Sequence, residues 1–231
     1  MAYATDVARL LRGVRFSSVC SSAPAPARAF TTTSVVRGPF ASGIKADHQR
    51  LRSYYPHIAD TKDAEERTRY QNMFVWELAR HSVAKELILF PAIEKEFPDG
   101  KNMAKRGRDN NQKIKEELYK FQGLNPGDRD FLPTFEGLYT NLLKGDMEEE
   151  AREAKQLEDH IDESESLNLS KAFDRTKLLA PTRSHPTAPA KSPFESASVM
   201  LATPIDKIAD IFRKFPKQDV GQDFLDTPPG S

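Results

Sequence analysis

The chain has one cysteine, Cys20, in 231 residues. The body beyond the N-terminal segment therefore has no disulfide, no thiol nucleophile and no cysteine-ligated zinc or iron–sulfur centre. No apolar run approaches the roughly 18–20 residues that span a bilayer. Sustained alternation of apolar and polar residues is missing, as is an Asn-Gly hairpin, so a sheet is not expected. There is no glycine-rich phosphate loop, no nucleophile elbow and no HExxH. Proline is scarce in the middle: only 5 of the 16 lie between residues 45 and 180. Net charge is zero, with 34 basic and 34 acidic residues. Residues 1–44 hold 5 of the bases and 1 of the acids, which leaves 29 bases against 33 acids elsewhere. A mildly acidic body lacks the basic face that nucleic acid needs. Lys101, Lys105, Arg106 and Arg108 form a short basic patch without interleaved aromatics.

What is there divides into an address and a body. Residues 1–43 are rich in Arg, Ser and Ala, with Asp6 the only acid. At 100° per residue, Tyr3, Val7, Leu10, Leu11 and Val14 fall on one side of a helix and Arg9, Arg12 and Arg15 on the other. This is transit-peptide composition rather than a secretory signal. Arg28-Ala29-Phe30 followed by Thr31-Thr32-Thr33-Ser34 resembles a mitochondrial presequence cleavage region, which implies a mitochondrial matrix location.

From Ile44 the period becomes helical. Ile44, His48, Leu51, Tyr55 and Ile58 are spaced 4, 3, 4, 3. Phe74, Leu78, His81, Lys85 and Ile88 repeat that spacing in a segment from about Asp63 to Phe97, where Pro91 should kink or end the regular part. Pro98-Asp99-Gly100 is a turn signal. A third helix covers about Lys101 to Gln122, with Asn111, Ile114, Leu118 and Phe121 on one face. Gly123 to Asp128 is a break. A fourth helical region runs from about Pro133 to Leu169, with Gly145-Asp146 a point where it could split and Leu157, His160, Ser164 and Leu167 as its later stripe. Four helices with short connections predict an all-α, antiparallel four-helix bundle over residues 44–170. Residues 171–216 read as an extended wrap ending in a short helix, with Thr203-Pro204 as its start and Ile205, Ile208, Phe212 and Phe215 on its apolar face. Either the bundle or a protein partner is its docking surface. Residues 217–231 read as a disordered tail.

Three histidines, His48, His81 and His160, sit in apolar stripes on three different helices. One histidine in a stripe is usually a satisfied core residue; three could meet at a metal in the bundle interior. Spacing alone leaves both readings open. His57 and His185 read as solvated, and Trp76 as core or rim. The acid run Asp146, Glu148, Glu149, Glu150 reads as a solvated helix face.

The words around these positions resemble the hemerythrin-like (HHE cation-binding) family: Asp47-His48-Gln49, then Glu77-Leu78-Ala79-Arg80-His81-Ser82 leading into Leu89-Phe90-Pro91, then Asn111-Gln112-Lys113-Ile114-Lys115 and Asp159-His160-Ile161-Asp162-Glu163. Pro181-Thr182-Arg183-Ser184-His185-Pro186 resembles the tail of fungal members. The resemblance spans about residues 44–190. It implies a di-iron site built from histidines on all four helices, with a carboxylate four residues after the histidine on helix two and four or five after that on helix four. Carried over, His48, His81 and His160 match. The expected ligand positions at Lys85, Asn111 and Ser164 hold no histidine or carboxylate. Glu165 and Glu86, each five residues after a histidine, are the substitute carboxylates. The resemblance thus implies iron, but a degenerate site. One metal ion on His48, His81 and His160 with Glu165, or a metal-free interaction bundle, both fit better than an intact di-iron oxygen or redox centre. No catalytic residue is expected.

The address makes a prediction of its own. N-terminal sequencing of the protein from its native organelle should find a start near Phe30 to Ser34. Recovery of the bulk of the chain with Met1 or Ala2 at its terminus would refute the assignment.

Overall fold

A computed structural model describes residues 39–184 and 213–216, with the side chains of Gly145 and Asp146 not described. The proposed address up to residue 38, His185, most of the proposed helix at 204–215 and the tail 217–231 lie outside the described residues. Among the described residues there are helices and no strands.

Helix α1 (Phe40–Ser53) and the short α2 (Tyr55–Ala59) form the first rod. Pro56 near the start of α2 has no N–H to donate, which fits a break between the two. The second rod is α3 (Ala64–Ala84), a π-helical turn over residues 85–89 and α4 (Phe90–Glu96). Asp63 caps α3, accepting a hydrogen bond from the Glu65 N–H. Pro91 explains the π turn. Its ring would press on a carbonyl one turn back in a regular helix. The wider turn, closed by Phe90 N–H on Lys85 O, accommodates it without ending the rod. The third rod is α5 (Gly100–Gln122), and the fourth is α6 (Phe131–Asn141), a second π turn over residues 142–147 and α7 (Glu148–His160). Each rod packs on its sequence neighbour, and α7 returns to α1 while α6 lies by α2, which closes an antiparallel four-helix bundle.

Three expectations change here. Gly145-Asp146 does not split the fourth rod; it lies in the π turn. The rod ends instead at His160, nine residues before Leu169. A separate helix, α8 (Glu163–Leu179), follows, capped by Asp162 on the Glu165 N–H. Residues 171–179, expected in an extended wrap, are therefore helical, and the extended course begins only at Ala180, before Pro181. The α8 stripe is Ser166, Ser170, Phe173, Asp174 and Lys177. Its spacing is helical but its members are mostly polar, so hydropathy hides it. This face packs on α1, α3 and the first π turn. Beyond it, Ser184 bonds the Lys115 carbonyl at 2.5 Å and exchanges bonds with Gln122. Farther on, Phe215 is buried against the core and the Lys214 carbonyl accepts from Asn72.

The apolar interior is in two parts. One holds Leu51, Leu78, Ile114 and Met147 with the aromatics Phe74, Phe121, Phe131 and Phe135. The other holds Ile44, Ala84, Ala104 and Ala154 with Phe40, Phe90 and Phe173. Between them each rod contributes buried polar residues, among them His48 between Ile44 and Leu51, His81 between Leu78 and Ala84, Asn111 between Ala104 and Ile114, and Glu150 between Met147 and Ala154.

Helix α5 approaches the second rod closely through glycine. A Cβ on Gly107 would stand 2.5 Å from Cε1 of the fully buried Phe90, and one on Gly100 would stand 2.2 Å from the Ile93 carbonyl oxygen. At an open helical site, Gly→Ala gains up to about 1 kcal/mol. Here Gly107→Ala should instead destabilise by about 1–3 kcal/mol, the range for overpacking a core. Urea unfolding checks the sign, and a gain in midpoint would show that Phe90 can move aside.

Candidate metal centre

His48, His81 and Glu150 converge in the polar layer, with one potential ligand atom from each within 4.8 Å of the others. All three are buried. His48 Nε2 is 3.1 Å from Glu150 Oε2, and His81 Nε2 is 2.9 Å from Glu150 Oε1. The two imidazoles meet edge to face at 5.4 Å.

The tautomer of His81 follows from its other nitrogen. Nδ1 lies 3.0 Å from Asp47 Oδ2. Asp47 is held well below the usual carboxylate range: burial opposes its charge, but Lys177, His81 and Arg50 outweigh burial. An ionised carboxylate only accepts, so Nδ1 carries the hydrogen and Nε2 faces the layer. Asp47 is itself held by both oxygens, each 2.8 Å from Lys177 Nζ, and by Arg50. Arg50 and Lys177 also reach Glu77, at 2.9 and 3.5 Å. These four side chains close a neutral ring behind His81.

The layer fits a cation. His81 Nε2 and Glu150 Oε1 are buried, and neither has a hydrogen-bond partner despite their 2.9 Å separation, because the pair is misaligned for one. Two donors bound to one metal at about 2.1 Å and near a right angle stand about 3 Å apart. Two imidazoles and one carboxylate are a donor set suited to iron or another divalent transition metal.

Lys85 makes the layer unlike a two-metal site. It is buried, and its Nζ lies 3.3 Å from Glu150 Oε2. The π turn also buries the next residue, Glu86, on a different neighbour. Glu86 accepts from Asn111 Nδ2 at 2.6 Å and from Lys115 Nζ at 3.3 Å, with Arg108 nearby. Glu86 is thus paired with rod three, and no metal group among the described residues includes it.

The other sequence candidates fall elsewhere. His160 is exposed at the last residue of α7, with Nδ1 3.0 Å from the Gln156 carbonyl and its ring 4.7 Å from Phe97. A histidine satisfies free carbonyls at a helix C-terminus, and this one does not reach the layer. Glu165, whose N–H donates to the Asp162 cap on the far side of that break, pairs its side chain with Lys95 at 2.8 Å. Ser164 is exposed beside it. The rod-four carboxylate expected at Glu165 was therefore placed 15 residues too late. Glu150, taken for part of a solvated acid face, is the carboxylate that rod four delivers. Extending the Leu157 stripe upstream, through Ala154 to Glu150 and Met147, finds it. His57 is half-exposed, stacked on Tyr70 and 2.8 Å from Glu66. Trp76 is buried under the Arg80 guanidinium.

Comparison with known proteins gives the family. The profile described as Hemerythrin HHE cation binding domain matches residues 40–172. An uncharacterized hemerythrin-like protein of Schizosaccharomyces pombe is 44% identical over 174 residues, covering 75% of this chain and 86% of that protein. No solved structure matches. No helix among the described residues is long and apolar enough to cross a membrane.

The charges set a pH dependence. Burial disfavours the His81 cation, but Glu150 and Asp47 prevail and push its pKa up to about 9 from the ordinary 6.5. Glu150 is held well below the ordinary 4.5, since His81, Lys85 and His48 outweigh burial. A raised histidine contributes stability in full below pH 6.5 and loses it as pH rises through about 9. The depressed carboxylates contribute above their ordinary values and lose it as pH falls toward their folded ones. Glu153 works the other way: burial, with Glu149 beside it, pushes its pKa up to about 7, so it weakens the fold as pH rises from about 4.5 to 7. The chelated protein should therefore be most stable near pH 4.5 and decline above it, with His81 accounting for a loss on the order of 3 kcal/mol between about pH 6.5 and 9 to 10. Urea midpoints in chelator across that range check this, and His81→Gln should flatten the alkaline limb.

Proposed function

Because the chain belongs to the hemerythrin HHE cation-binding family, we propose that it is a mitochondrial cation-binding protein that holds at most one metal ion, on His48, His81 and Glu150. Iron is the first expectation from the family, and a similar divalent ion suits the same donors. The reading is of a binding protein rather than an enzyme. The composition of residues 1–43 supports the organelle.

One observation carries the count of one: the Lys85 ammonium against Glu150. A carboxylate between two metals gives each of them one oxygen. Glu150 Oε1 is left for a metal beside His81, while Oε2 already meets a fixed positive charge and His48. Asn111, the rod-three member of the layer, spends its amide on Glu86 and the Ser82 carbonyl. A second cation would find a like charge nearby and an amide for a ligand. When bound, the metal supplies a Lewis-acidic, redox-capable centre. The chain's own contribution is to orient His81 through Asp47, to supply one negative charge, and to keep water out with the two apolar clusters.

A second reading has an observation in its favour. Lys85 already balances Glu150, and Asp47 is balanced within the ring behind His81, so the layer is electrically complete without metal. A metal-free interaction bundle with an unidentified protein partner is that alternative.

Metal analysis of untagged protein, with Co2+ and Fe2+ titrations, separates these. The expected result is one equivalent, with no oxo-bridged absorption. Lys85→Glu with Asn111→His should raise it to two; Ser164→Glu adds nothing, because that side chain is outside the layer. Two equivalents and a bridged spectrum in the unchanged protein would overturn the proposal, and no binding at micromolar metal would favour the metal-free bundle.

A further inference from the structure

We propose that Lys177, on a helix outside the four-rod bundle, is a positioning residue for the metal centre. It fixes the Asp47 carboxylate that turns His81 Nε2 toward His48 and Glu150. This rests on the one-metal reading of His48, His81 and Glu150.

The geometry is a relay of three contacts. Lys177 Nζ donates to Asp47 Oδ1 and Oδ2, both at 2.8 Å. Asp47 Oδ2 accepts from His81 Nδ1 at 3.0 Å. His81 Nε2 then stands 2.9 Å from Glu150 Oε1. Lys177 is fully buried. An ammonium is withdrawn from water only where carboxylates replace its hydration, and Asp47 and Glu77 do so here. Its backbone is pinned as well, since Arg80 Nε donates to the Lys177 carbonyl at 2.9 Å. One turn earlier on α8, Phe173 meets the His81 ring edge to face at 5.6 Å. Thus α8 touches His81 by packing and reaches it again through Asp47.

A lysine in this position does more than fill space. A histidine that binds metal through Nε2 is held in that tautomer by what Nδ1 donates to. Asp47 has a free choice of rotamer unless its second oxygen is tied. Arg50, one turn along α1, ties Oδ1 from the half-exposed side. Lys177 ties both oxygens from the buried side. Without it, Asp47 would lose the cation that meets both of its oxygens, and its repulsion with Glu77 would be less fully screened. Lys177 lies five residues past the matched family region, residues 40–172.

The test is a double-mutant cycle on Co2+ affinity with the full chain: unchanged, Lys177→Met, Asp47→Asn and both. Outer partners of a metal-bound histidine are commonly worth about 10- to 100-fold in affinity. Each single change should weaken Co2+ binding by about tenfold or more. If Lys177 acts through Asp47, the double variant should bind within about threefold of the weaker single one. Multiplying effects, or unchanged affinity in Lys177→Met, would overturn the proposal. Should Lys177→Met fail to fold by circular dichroism, Lys177→Gln takes its place under the same criteria. A second readout needs no metal: the 15N spectrum of the His81 ring in chelated protein. The unchanged chain should show a slowly exchanging Nδ1–H that Lys177→Met loses with its helix content intact. If the unchanged chain binds neither Co2+ nor Zn2+, the one-metal reading fails. The ring spectrum then decides the clamp alone, and a protected Nδ1–H in Lys177→Met would sink it.

Discussion

A carboxylate buried at the centre of a helical bundle must be neutralised, and Glu150 sets that condition for the whole molecule. Taking an ion out of water costs several kcal/mol even after relaxation. Around Glu150 the chain answers with three nitrogens from two rods: His48, His81 and Lys85. Each of these then needs its own support. His81 needs Asp47, Asp47 needs Lys177 and Arg50, and those cations are shared with Glu77. The chain of obligations runs outward from rod four through rods two and one to α8. It explains why a helix whose inner face reads Ser, Ser, Phe, Asp, Lys is held against the bundle at all.

The same logic separates what was legible in the sequence from what was not. Apolar stripes at spacings of 3 and 4 exposed the four rods, because most core positions on them are aliphatic or aromatic. His48 and His81 were visible for the same reason: each interrupts an otherwise apolar stripe. Asn111 was visible as the rod-three member and Lys85 as a misplaced cation. Glu150 was not, since it stands in a run of glutamates whose neighbours Glu148 and Glu149 do face outward to differing degrees. Only the phase set by Leu157 and Ala154 tells them apart. His160 misled for the complementary reason. It is in phase with Leu157, but the helix stops beneath it, and Asp162 starts a new one. Helix ends are local hydrogen-bond events, and the Asp162 cap on Glu165 was read as part of a ligand motif.

The π turn at 85–89 resolves a second puzzle. Glu86, five residues after His81, could approach the layer only with a local distortion, and such a distortion exists. It does not deliver Glu86 to the metal ligands. It buries Lys85 and Glu86 together while sending them to opposite neighbours, Lys85 to rod four and Glu86 to rod three. In a regular helix, adjacent side chains diverge by 100°, and one of the two would more readily reach solvent. Membership of the hemerythrin HHE cation-binding family rests on the match over residues 40–172 and on the 44% identical relative. What this turn adds to the layer is the Lys85 ammonium beside Glu150.

The polar layer also divides the hydrophobic interior into two separate bodies, and this bears on cooperativity. A continuous apolar core couples every helix to every other through packing alone. Here the Phe74–Phe135 body and the Phe40–Phe90 body meet across a waist of ions and amides. Both bodies draw on all four rods, so neither corresponds to a stretch of chain that could peel away alone. What joins them is the covalent continuity of the rods and the strength of the waist. A neutralised waist transmits strain and makes the bundle open as one unit. A waist with an unpaired charge admits water and lets the two ends open at different free energies, as separate exchange units. The groups that would hold a metal are thus also the hinge pins of the protein's global unfolding.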